Sequence, residues 1–146
     1  MCPGSSSRTS GGGTIAVLST PISQRQAPPA NVFEGEIYFH PSSTLSRGTT
    51  ASFKSRTPHA ALTAVPYYVV IHQKGDLSMP VGQAGLLHRF RIPPQQAVPA
   101  ESLYRWDLDQ VLNLSVGGDG IVGRRISIFE DVGLQRQVAE GIIGWN

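Results

Sequence analysis

Apolar residues in this chain come in short alternating bursts, each closed by Gly, Pro or a polar cluster, and this pattern predicts strands rather than helices. The run "TIAVLS" (14–19) is the first. After the Pro-rich connection "TPISQRQAPPAN", the segment "VFEGEIYFHP" puts Phe33, Ile37 and Phe39 on one face, with Gly35 as a bulge or a point of close approach. "TTASFKSRT" is a weaker strand with polar alternation. "YYVVIHQ" (67–73) is the strongest, being rich in β-branched and aromatic residues. The stretch from Lys74 to Pro99 reads mostly as loop, broken by a short strand in "GLLHRFRIP". "AESLYRWDLDQVLNLS" shows helical spacing through Leu103, Trp106 and Leu108 or Val111, yet it reads equally as a turn plus a strand. "GIVGRRISIFED" places Ile126 and Ile128 on one face and Arg125, Ser127 and Phe129 on the other, and "VAEGIIGWN" closes the chain with another β run. Short strands between Gly/Pro turns predict an all-β sandwich or Greek-key barrel.

Composition sharpens this picture. The chain has 146 residues, 40% of them apolar, with a mean hydropathy of −0.10, which suits one globular domain with a real core. Sixteen glycines and eleven prolines argue for many turns and against long helices. A formal charge of +2 with scattered arginines gives no basic patch, so nucleic acid is not expected as a partner. No apolar run approaches the ~20 residues of a membrane-spanning helix, so no membrane partner is expected either. The opening "MCPGSSSRTSGGG" is expected to be a flexible leader over residues 1–13, ahead of a domain over 14–146. It lacks the charged-then-apolar order of a secretory signal, and it holds the chain's one cysteine, Cys2. With no disulfide pair a cytoplasmic location is expected, or an extracellular one if the domain comes from a longer secreted chain.

Candidate chemistry centres on the end of the "YYVVIHQ" run. Alternation puts Val70 and His72 on one face and Ile71 on the other. Two imidazoles at that spacing would chelate; here the first position is valine, and a lone histidine at a strand end is expected to be a surface or hydrogen-bonded residue. The other histidines are His40, His59 and His88, none at a short ligand spacing from His72. No HExxH, paired CxxC, GxSxG or Gly-rich phosphate loop is present. Asp107 and Asp109 in "WDLDQ" read as site-flanking acids or, more plainly, as solvated or capping residues.

Four motifs in order, "VFEGEIYF", "ALTAVPYYVVIHQKGDLS", "GIVGRRISIFED" and "VAEGIIGW", resemble the copper/zinc superoxide dismutase family, with the "GD" and "GR" pairs retained. The resemblance implies a Greek-key β-barrel. It also implies where a metal centre would lie: the copper histidines fall on Val70, His72 and Phe129, and the bridging histidine near His88. The zinc aspartate falls on Asp107, with Tyr104 in place of a zinc histidine. Glu140 stands at a disulfide cysteine, and Gln137, beside Arg136, stands at the arginine that guides superoxide. His72, His88 and Asp107 are thus the residual metal-ligand positions. Two imidazoles do not make a redox copper centre. The expectation is a domain of this type that has lost most ligands and acts as a non-catalytic scaffold or interaction module, with no cofactor. The alternative is a dismutase, or a copper- or zinc-binding protein, with an altered partial site. A homodimer or protein partner is expected through "GIIGW", using Ile142, Ile143 and Trp145, unless these residues are simply core. His72→Ala is expected to change stability little, and Phe129→Ala to cost much more.

Overall fold

The alternation read from the sequence builds strands with one inward row each. A computed structural model describes residues 13–21, 34–42, 48–55, 67–93, 103–108, 110–130 and 133–146. Most of the expected leader, together with Phe33, His59 and Asp109, lies outside the described residues. The strands are β1 (Thr14–Leu18), β2 (Gly35–Pro41), β3 (Thr49–Ser55), β4 (Tyr67–Ile71), β5 (His88–Ile92), β6 (Leu103–Asp107), β7 (Arg125–Phe129) and β8 (Gln137–Trp145). All pair antiparallel, in the order β5-β4-β7-β8-β1-β2-β3-β6. Within the ambiguous "AESLYRWDLDQVLNLS" segment, Leu103–Asp107 resolves as a strand because β3 offers it a partner from Thr50↔Asp107 to Lys54↔Leu103, and tertiary pairing outweighs local spacing.

The inward rows meet in one core. Ile37 and Phe39 of β2, Val69 and Ile71 of β4, and Ile126 and Ile128 of β7 are all buried. Phe39 of β2 meets Phe90 of the end strand β5 edge-on across this core, with ring centroids 5.9 Å apart, as the sheet curls into a nearly closed barrel. β8 serves both halves. Its first part pairs with β7, with a bulge opposite Ile128/Phe129, and its last residues pair with β1. Gly141 sits where β8 crosses between them, and a Cβ there would stand 2.4 Å from the Val17 carbonyl oxygen, so only glycine lets the backbones approach this closely. A seam remains between β5 and β6, where Gln110 Nε2 donates to the Arg89 carbonyl at 3.0 Å and a cleft of about 450 Å³ is walled by Arg89, Arg91, Trp106 and Asp107.

The two retained dipeptides of the sequence touch. Gly75 of "GD" packs on the backbone of Gly123 of "GR": a Cβ at Gly75 would lie 2.1 Å from the Gly123 carbonyl oxygen. Around that contact His72 N–H donates to the Arg125 carbonyl (2.9 Å) and Arg125 N–H to the Lys74 carbonyl (3.0 Å), so pairing between the two segments continues beyond the end of β4. Gly75→Ala is therefore expected to destabilise by about 1–3 kcal/mol through overpacking against backbone that has nowhere to move. Gly82→Ala, where a Cβ meets no heavy atom within 4 Å, is expected to be near neutral. Urea midpoints of the two variants check this.

Candidate functional site

On β7, and at Val70 of β4 and Gln137 and Glu140 of β8 beside it, the face turned away from the core is buried as well. Every residue of β7 is buried on both faces. The covering layer is the segment 73–87, which includes one 3-10 turn at Val81–Gln83. Backbone bonds dock it, from Leu87 N–H to the Ile71 carbonyl (2.8 Å) and from Arg125 N–H to the Lys74 carbonyl (3.0 Å), while Lys74 N–H closes the segment on itself through the Ala84 carbonyl (3.1 Å). Arg125 holds it from below, its Nη1 donating to the carbonyls of Met79 (2.8 Å) and Asp76 (3.2 Å).

Beneath this layer lies a directed chain of hydrogen bonds. His72, 3% exposed, has Nδ1 2.7 Å from the Gly85 carbonyl oxygen and Nε2 2.8 Å from Ser127 Oγ. A carbonyl only accepts, so Nδ1 carries the proton, and the neutral ring's Nε2 accepts from the Ser127 hydroxyl. Ser127 Oγ in turn accepts from Gln137 Nε2 (2.9 Å), which also donates to Glu140 Oε1 (3.2 Å). Glu140 Oε1 accepts from Arg125 Nη2 at 3.2 Å, an ion pair buried at both ends. The direction is consistent throughout with a neutral His72: each acceptor is then used by a donor, and the Ser127 hydroxyl both donates and accepts. Burial, and then the nearby Arg125 charge, lower the His72 pKa, against an opposing contribution from the Gly85 bond. Val70 and Phe129 complete this face as buried apolar neighbours of His72.

The residues singled out in the sequence are distributed as follows. His72 and Val70 share the outer face of β4. His88 pairs with Ile71, whose side chain is in the core, so strand parity turns His88 to the face opposite His72. Its Nε2 is buried without a partner. Asp107 lies on β6 and is exposed, accepting from Thr50 Oγ1 (2.6 Å) and Ser42 Oγ (3.4 Å). The carboxylate that feels His88 is Asp119, whose pKa is lowered first by a bond from Asn113, then by its own backbone, and then by the charges of His88 and Arg124. Among the described residues no group of three or more His, Cys, Asp or Glu side chains is gathered closely enough to hold a metal ion. Tyr104 is a core residue stacked on Phe53. Of the C-terminal trio, Ile143 is core, while Ile142 and Trp145 are 37% and 53% exposed.

Arg125, Ser127 and Glu140 are the site residues that motif reading missed. The available signal was a charge inside each of two apolar strands. The register then sets Ser127 opposite Glu140 and leaves Arg125 one step along the same face.

No protein-family model matches the chain, and no curated protein sequence does. Solved structures do. A point mutant of superoxide dismutase 5 from Candida albicans matches with a TM-score of 0.51 and 15% identity, covering 91% of this chain and 91% of that one. The fold is that of the copper/zinc superoxide dismutases. The Cu(II) form of the same Candida albicans enzyme matches at 15% identity and a TM-score of 0.48, covering 92% of each chain. A second point mutant matches at 13% identity and a TM-score of 0.47, covering 92% of this chain and 91% of the other. At these identities the likeness concerns the fold.

In a superoxide dismutase fold the outer face of β4 and β7 is where the resemblance put copper. The residues here do not fit that ion. Val70 and Phe129 have no donor atom, and both nitrogens of His72 are already engaged by Gly85 and Ser127. Metal sites that work surround the ion with convergent donors held by outer hydrogen bonds; here both nitrogens of the one imidazole at this face serve hydrogen bonds.

The expectation that His72→Ala would be nearly neutral is corrected by this geometry. The substitution strands the Ser127 hydroxyl and the Gly85 carbonyl, and a cost of about 1–3 kcal/mol is expected for such unsatisfied groups. Phe129→Ala is expected to cost about 3–5 kcal/mol, since Phe129 is buried. The His72 titration also has a definite sign. The unfolded chain takes up a proton near 6.5, while the folded chain resists it to lower pH. Stability should therefore be flat above 6.5 and fall as pH drops through that value toward the lower folded pKa. Denaturant midpoints from neutral pH downward should show this fall in the parent chain and a smaller one in His72→Gln.

Proposed function

We propose that this chain is a non-catalytic domain on the superoxide dismutase fold, working as a scaffold or interaction module. The observation that carries the reading is the double engagement of His72 next to buried Val70 and Phe129. Dismutation needs one metal ion held in two oxidation states, and the residues at this face offer hydrogen bonds and apolar packing in its stead. Gln137, at the position where the resemblance implies a guiding arginine, donates to Ser127 and Glu140, and so serves the interior rather than an incoming anion.

A partner surface is proposed on the outer side of β8 and its neighbour β1, where Ile142 and Val17 are exposed apolar side chains; Trp145, also exposed, has the strand parity of the core residue Ile143 and lies on the other face, at the end of β8. A second copy of the chain or another protein would cover them. This patch is what remains of the C-terminal expectation once Ile143 is assigned to the core.

One observation favours a second reading, a partial copper or zinc site using His72, His88 and Asp107: the unpartnered Nε2 of His88. Its difficulties are that His88 faces the opposite side of the sheet from His72 and that His72 would have to leave both its hydrogen bonds. The experiment is to dialyse the chain against copper and zinc, remove loosely held ions, and measure bound metal and superoxide dismutation together. The proposed function predicts copper well below one ion per chain, no dismutation above free metal, and no change on His88→Ala. Stoichiometric copper that is lost in His72→Gln and turns over superoxide would refute it.

A further inference from the structure

The covering segment does not fill all the space above Val70 and Phe129. It leaves a recess of about 280 Å³ between that floor and the side chains of Val81, Leu86 and Leu134. We propose that this recess is a binding site for a small, uncharged, apolar molecule of one or two rings.

Three features define the class. Among the described residues the lining side chains are aliphatic or aromatic apart from His72, whose two nitrogens are committed to Gly85 and Ser127. The described lining side chains leave no free donor or charge to recognise an ion, an acid or a sugar, so desolvation would penalise all of these. The size is the second feature. A dry cavity of about 150 Å³ lined by Leu, Ile and Phe binds benzene, so a recess of about 280 Å³ has room for a larger ring system. The third is at the rim. Leu134 has φ 56°, the one positive φ among the described non-glycine residues. A leucine in the left-handed region is strained, and such strain gathers at ligand clamps. Leu86 beside it is 48% exposed, an apolar side chain that an occupant would shield from water.

The inference goes beyond the proposed function and is tested separately from it, because the titration is run in the presence of a chelator. Naphthalene is titrated into the full chain while the methyl carbon signals of Val70, Val81, Leu86 and Leu134 are followed by NMR, with 2-naphthoate as the charged comparison. The expected result is a saturable shift of those methyls with naphthalene and none with naphthoate. Gly82, on the wall of the recess, accepts a Cβ without meeting any heavy atom within 4 Å, so Gly82→Leu should fold normally and fill the space. It is expected to weaken naphthalene binding by about tenfold or more. Leu134→Gly, which relieves the backbone strain, is expected to remain folded and to bind more weakly. Absence of saturation in the parent chain, equal binding of naphthoate, or unchanged affinity in Gly82→Leu would overturn the proposal.

Discussion

The structure depends on one buried chain of polar contacts, running from Arg125 through Glu140, Gln137 and Ser127 to His72 and ending at the Gly85 carbonyl. It lies on the outer face of β4, β7 and β8, a face that an ordinary barrel leaves to solvent. A sheet can be buried on both faces only if something covers the second one and if every polar group enclosed there finds a partner. The segment 73–87 supplies the cover, and the chain of contacts satisfies nearly all of what it encloses; Arg125 Nε is left over.

The arrangement explains why the covering layer and the sheet act as one unit. Arg125 belongs to both, pairing with Glu140 inside the sheet and donating upward to Asp76 and Met79. Buried ion pairs contribute little net stability against a well-packed apolar alternative, but breaking one by removing a single partner is costly. That asymmetry ties the polar members together: losing one leaves the next with an unmet bond. The close backbone contact of Gly75 with Gly123 lies beside these bonds and holds the start of the covering segment against the strand that carries Arg125. In a superoxide dismutase fold of this kind, apolar packing and directed hydrogen bonds occupy the face where the resemblance put an ion.

Much of the barrel was legible from residue alternation. Ile37 with Phe39, and Ile126 with Ile128, are core pairs because period-2 apolar residues leave a strand only one way to face. The segment around Trp106 was not decidable, since its spacing suits a helix until β3 offers a pairing edge. Val70 and Phe129 were legible as absent ligands by resemblance. The environment of His72 was not. Its partners Gly85 and Ser127 lie 13 and 55 positions away, and no local pattern announces that an irregular segment will fold back over the outer face. The same blindness applies to Asp107, whose anchoring by Thr50 depends on strand register 57 residues apart.

The most direct test of this account is the protonation state of one imidazole. A long-range proton–nitrogen NMR correlation resolves which nitrogen of His72 carries hydrogen. The account predicts a neutral ring protonated at Nδ1, persisting below the ordinary histidine pKa of 6.5 and indifferent to added zinc. A ring protonated at Nε2, a titration at the ordinary value, or a nitrogen shift on adding zinc would contradict it.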